Sequence, residues 1–143
     1  MRACLPVLGL LLLAASPAPV AKPWVDLGFA LPGKYGDPVL EVTGPLTGGS
    51  MLTLALTNAE EFSHSYLVVG FSTLYAPYKG GTLVPAFDAL FPVATDEVGA
   101  ITLTAHWPTG SPPDVPVIFQ FWINDEHAIN GRSGSNAMGA LTP

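Results

Sequence analysis

The chain has 143 residues, with five Lys and Arg against eleven Asp and Glu, a formal charge of −6 and one cysteine. That length suits a single domain, and the acidic balance excludes nucleic acid as a partner, because phosphate binding needs clustered Lys and Arg. The acids occur singly or in pairs (Glu60-Glu61, Asp96-Glu97, Asp125-Glu126), the pattern of solubilising surface charge.

In chain order, Arg2 followed by the apolar run Leu5 to Ala15 reads as a signal peptide over residues 1–21, cut after Ala21. The run is too short to cross a hydrocarbon core of about 30 Å as a permanent helix. Cys4 stands at the start of that run, not at its end as in a lipoprotein signal. Its removal leaves no thiol, so the mature chain must be held by packing alone. The expected product is secreted or periplasmic, with no membrane span after signal removal.

Residues 22–36, with Trp24 and Phe29 among Pro, Gly and Ala, read as a partly ordered N-terminal lead-in. From Asp37 onward the chain consists of short runs of β-formers punctuated by Gly, Pro, Asn and Asp, and fifteen glycines with fifteen prolines argue against long helices. Strands are predicted at 38–43, 51–57, 65–72, 91–95, 100–107, 117–123 and 136–141. The clearest is 51–57, where Leu52, Leu54 and Leu56 alternate with Thr53, Ala55 and Thr57. Asp96 to Gly99 reads as a hairpin turn between the fourth and fifth strands.

Segments 65–72 and 117–123 are apolar on both faces, whereas a sheet with one wet face alternates. The connection Thr73 to Leu90 is longer than most loops and nearly uncharged. It is therefore expected to fold over the second face, bending at Gly80-Gly81 and covering Ile118, Gln120, Trp122, Tyr66 and Val68. The fold class expected for residues 37–143 is all-β: an antiparallel two-sheet sandwich, immunoglobulin-like or related, of about seven strands, with a small β-barrel as runner-up. Without cysteines an antibody-type immunoglobulin domain is not indicated.

Several stretches are shared with a known group of proteins: Gly44-Pro45-Leu46 with Gly49-Ser50, Leu67 to Ser72, Tyr75 to Pro85, Phe119 to Ile123, and Ser135 to Met138. Together they resemble an uncharacterised family of exported bacterial β-sandwich domains, often C-terminal in larger extracellular proteins. The resemblance covers most of residues 37–143, and Lys79 to Pro85 is its most specific element. It implies no activity and assigns no functional residue. This chain departs from that setting by placing the domain directly behind a signal peptide.

Chemistry is sparse. Gly131-Arg132-Ser133-Gly134-Ser135 approaches the esterase Gly-x-Ser-x-Gly motif and fails at its last position, with no strand-turn-helix around it. Asp125, Glu126, His127 and Asn130 put oxygen and imidazole donors in one loop, but without calcium-loop spacing or a His-x-His pair, so no metal or other cofactor is assigned. Paired carboxylates for glycoside hydrolysis have no separation legible in the sequence. Tyr75, Tyr78, Phe87, Trp107 and Trp122 offer rings for a sugar, although aromatics in a β protein are more often core. The candidate ligand or interface residues are Tyr75, Tyr78, Lys79, Trp107 and Trp122. The functional expectation is a non-catalytic interaction or structural module whose partner is a protein or a glycan. A small glycan-binding module and a secreted hydrolase are the alternatives.

Overall fold

A computed structural model describes residues 23–143; the segment read as a signal peptide, with the cut expected after Ala21, lies outside them. The described chain is an antiparallel β-sandwich with no helix and eleven strands. These are β1 (Val25–Gly28), β2 (Val39–Thr43), β3 (Met51–Thr57), β4 (His64–Gly70), β5 (Thr73–Tyr78), β6 (Gly81–Pro85), β7 (Ala89–Ala94), β8 (Ile101–His106), β9 (Pro116–Asn124), β10 (Arg132–Gly134) and β11 (Ala137–Leu141).

All seven predicted runs are strands. The four added ones, β1, β5, β6 and β10, are short or carry Pro and Gly, which dilutes the β signal. The large sheet runs β1-β11-β9-β4-β7, with β10 also paired to β9, and the second sheet runs β2-β3-β8. β5 and β6 form a separate hairpin.

The core lies between the two larger sheets. Leu52, Leu54 and Leu56 of β3, Leu40 and Val42 of β2 and Ile101 of β8 pack against Leu67 and Val69 of β4 and the odd-numbered residues Val117 to Ile123 of β9. The period of two in β3 is thus the signature of a strand buried on one face. Within the expected lead-in of residues 22–36, the described part, 23–36, is more than a lead-in. β1 pairs with β11 at the sheet edge, and Trp24 enters the core, its ring 5.4 Å from Phe119 and its indole N–H donating to the Gly44 carbonyl at 2.9 Å.

The Asp96–Gly99 turn is correct as a turn and wrong as a hairpin. β7 pairs with β4 and β8 with β3, so the turn carries the chain from one sheet to the other. Asp96 Oδ1 accepts the N–H groups of Val98 and Ala100 at 2.9 Å each. Local turn chemistry is identical for either outcome, and only the pairing of the flanking strands differs.

The long connection does fold over the outer face, as a complete β-hairpin. Lys79 and Gly80 have φ of 51° and 87°, the paired positive values of a two-residue type I′ turn. Tyr75, at φ 51°, lies where the register of β5 shifts against β6, a bulge that adds one residue to β5. Leu83 and Tyr78 then pack on Val68 and Trp122, and Val84 packs on Ile118 and Ala137.

Candidate functional site

Alternate residues of a strand share a face, so the outer face of the large sheet holds Tyr66 and Val68 of β4 and Ile118, Gln120 and Trp122 of β9. Gln120 is fully buried there and joins the hairpin to the sheet. Its Oε1 accepts the Val84 N–H at 3.0 Å and the Trp122 indole N–H at 3.2 Å. Its Nε2 donates to the carbonyls of Thr82 and Ser135 at 3.2 and 3.1 Å. A buried amide stays favourable only when such partners are supplied.

Trp122 is 1% exposed, with the Tyr78 ring edge-on at 4.9 Å between centroids. Two glycines admit it: a Cβ on Gly134 would stand 2.9 Å from the indole, and one on Gly81 would stand 3.2 Å away. The ring therefore forms a floor. Beside it, between the hairpin, β4, β7 and β10, a groove of about 370 Å³ remains open to solvent. Val68, Leu83 and Leu90 line it with Trp122, and Tyr66, Tyr78, Phe87 and Arg132 complete its walls. Phe87 and Leu90 form its exposed rim, at 61% and 41%.

Arg132 is the charged group of this groove. β10 pairs Gly134 with Trp122 and Arg132 with Asn124, which places Arg132 on the same face as Trp122. Its guanidinium lies 5.3 Å from the Tyr66 ring centroid, a cation–π geometry. Among the described residues its guanidinium forms no ion pair, whereas Lys34 is bound to Glu61 at 2.6 Å. That pair, with the Tyr35 hydroxyl donating to Glu61 at 2.8 Å, holds the Glu61 carboxyl down at about 2 and pushes the Lys34 ammonium up.

Of the residues singled out from sequence, Tyr78 and Trp122 meet in this groove. Lys79 sits exposed in the hairpin turn beyond it. Tyr75 stacks edge-on with Phe29 at 5.5 Å on the bulge. Trp107 lies at the end of β8, packed against the core between the sheets, its indole N–H buried without a partner. The five residues therefore do not form one site. Tyr66 and Arg132 were missed because their contact depends on β4 and β10 flanking the same strand, β9, and no local pattern announces that.

The acidic loop is likewise redistributed. Asp125 and His127 meet Glu60, from the loop before β4 at the same end of the sheet, with ligand atoms of all three within 4.8 Å of one another. Glu126 and Asn130 are not members of that group and are exposed. Asp125 is buried and already engaged: Oδ2 accepts the Lys34 N–H at 2.7 Å and Oδ1 the His127 N–H at 2.9 Å. Its carboxylate pins the loop before β2 and the turn after β9, the work of an Asx-type brace. Ser133 faces the core beside Ile123, fully buried, its hydroxyl without a hydrogen-bond partner among the described residues. A nucleophile needs an open approach and a base, so Ser133 is not one.

A second groove, of about 470 Å³, runs over β1, β11 and β9 between Val25, Leu27, Ile118 and Leu141, and no charged side chain lines it. Comparison of the chain with known protein families, curated proteins and solved structures finds no significant match in any of the three.

Proposed function

We propose that this chain is an exported, non-catalytic binding module that holds a small ligand in the groove between the β5–β6 hairpin and the large sheet. The observation that carries the reading is the convergence of four aromatic side chains and an arginine that forms no ion pair among the described residues on one half-open, otherwise apolar groove. Small-molecule sites have this make-up: about 300–1,000 Å³ of mostly apolar wall with a few polar groups that fix orientation. Export is supported by Arg2 and the Leu5 to Ala15 run, and by a described chain without cysteine.

A glycan remains the second reading, narrowed by geometry to Tyr66, Tyr78 and Phe87, since Trp122 is buried and Trp107 belongs to the opposite sheet. The test is chemical-shift mapping of the ¹⁵N-labelled protein against a mixed library of small acids, amides and oligosaccharides. Perturbations grouped on Tyr66, Tyr78, Leu83, Phe87 and Arg132 are the expected result. Perturbations confined to other surfaces would refute the assignment. Mass spectrometry of the exported protein tests the other half: an N-terminus near Lys22 is expected, and a retained chain beginning at Met1 argues against export.

A further inference from the structure

Resting on the groove as the binding site, we infer that its ligand is an apolar carboxylate, with the acid group on Arg132 and an aryl or acyl body against Leu83, Phe87 and Leu90 above the Trp122 floor. Three observations carry the choice.

The first is charge. The chain carries a formal charge of −6, a field that disfavours anions in general. Of the three Lys and Arg in the described residues, Lys34 is committed to Glu61, Lys79 is exposed in the hairpin turn, and Arg132 is the one lining a groove. An uncompensated guanidinium at the edge of an apolar concavity is a local reversal of that field, and its planar fork matches a carboxylate through two parallel N–H···O bonds.

The second is chemistry of the wall. Sugar hydroxyls are usually met by side-chain amides and carboxylates, and none lines this groove. The nearby amide, Gln120, has its oxygen and nitrogen committed to Val84, Trp122, Thr82 and Ser135. The polar atoms that remain are the two tyrosine hydroxyls and the guanidinium, while Val68, Leu83, Leu90 and Trp122 offer only apolar surface or a ring whose N–H is already used. Such a wall favours a ligand with one anionic end and an apolar body.

The third is preorganisation. Arg132 is part of a paired strand and lies against the Tyr66 ring, so less side-chain freedom is lost on binding than for a free surface arginine. Lys79, by contrast, is exposed in the hairpin turn and lines no groove.

The test uses a matched pair of probes on the unaltered protein, trans-cinnamate and its neutral amide, followed by NMR at constant ionic strength. Cinnamate is expected to shift Tyr66, Leu83 and Arg132, and the amide to bind about ten-fold more weakly, the worth of hydrogen bonds to a charged group. Arg132→Gln should abolish the preference, bringing the ratio of acid to amide affinity to about one. Octanoate, the acyl probe, should show the same dependence on Arg132.

Equal affinity for acid and amide in the unaltered protein would overturn the carboxylate assignment while leaving the groove as a binding site. So would occupation of the groove by a neutral oligosaccharide such as xylohexaose with no response to cinnamate. Failure of acid, amide and oligosaccharide alike to perturb the groove would overturn both readings. So would a concentration-dependent dimer that buries Phe87 and Leu90. If Arg132→Gln does not fold, the acid-to-amide ratio on the parent protein decides by itself.

Discussion

Replacing Trp122 by Ala removes the floor that the sheet and the hairpin share. Truncating a buried large aromatic costs about 3–5 kcal/mol, and Trp122 is 1% exposed. Its edge-on pairing with Tyr78 at 4.9 Å adds about 0.5–1.5 kcal/mol that the alanine forfeits. Two features pull the other way. Gln120 Oε1 keeps its bond from Val84 after the indole N–H is lost, so no acceptor is orphaned, and the adjoining groove lets water and Tyr78 move into the vacated space. The expected cost is therefore about 3 kcal/mol, the lower end of the range. At an m-value of about 2 kcal/mol/M in urea, the midpoint falls by about 1.5 M with m unchanged. Trp24 and Trp107 remain as fluorophores for the unfolding curve, with far-UV circular dichroism as a second probe. A folded monomer with an unchanged midpoint would show that the hairpin does not close over this ring.

Three further outcomes are expected. Gly99→Ala should cost clearly more than Gly110→Ala in paired urea titrations: both have positive φ, but a Cβ on Gly99 would lie within 2 Å of the Ala59 carbonyl oxygen while Gly110 has nothing within 4 Å, and the shared left-handed conformation accounts for only about 1–2 kcal/mol. Acidification should weaken the fold as Glu61 protonates. Its carboxyl is held at about 2, against 4.5 normally, by Lys34 and Tyr35, so the stability it contributes is fully present above pH 4.5 and is lost as pH falls toward 2. In Glu61→Gln that part of the acid slope should vanish, and salt should reduce it in the parent because the pair is partly exposed. Finally, Asp125→Ala leaves the Lys34 and His127 N–H groups unpaired and should cost about 2–4 kcal/mol by thermal or chemical melting, whereas melts of the parent with and without chelator should superimpose.

How far the sequence reached is clearest on β3 and β9. Leu52, Leu54 and Leu56 announce a strand with one buried face because the side-chain period of a strand is two and needs no knowledge of partners. Ile118, Gln120 and Trp122, interleaved with Val117, Phe119 and Phe121, announce a strand covered on both sides. With an apolar, overlong connection following β4, that was enough to expect the cover itself. The turn chemistry at Asp96–Gly99 was equally legible, since it depends on which residues tolerate positive φ; the hairpin bend, expected at Gly80-Gly81, falls one residue earlier at Lys79-Gly80, because Lys79 takes a positive φ that its residue type does not announce.

Partnership was not legible. Whether Asp96–Gly99 joins two strands of one sheet or hands the chain across the sandwich depends on β4 and β3 competing for the flanking segments. That competition is settled by which arrangement buries both faces. The same holds for Trp24, whose place in the core follows from β1 pairing with β11, a contact between the two ends of the described chain. Asp125 looked like a metal donor beside Glu126 and Asn130, yet its oxygens brace Lys34 and His127. Arg132 looked like part of a failed esterase motif, yet strand alternation turns it toward Tyr66 and buries its neighbour Ser133. Periodicity and turn preference are local energies and can be read from the residues that carry them. Which elements meet is decided by burial summed over the whole fold, and the groove exists only where that packing leaves the hairpin, β4, β7 and β10 apart.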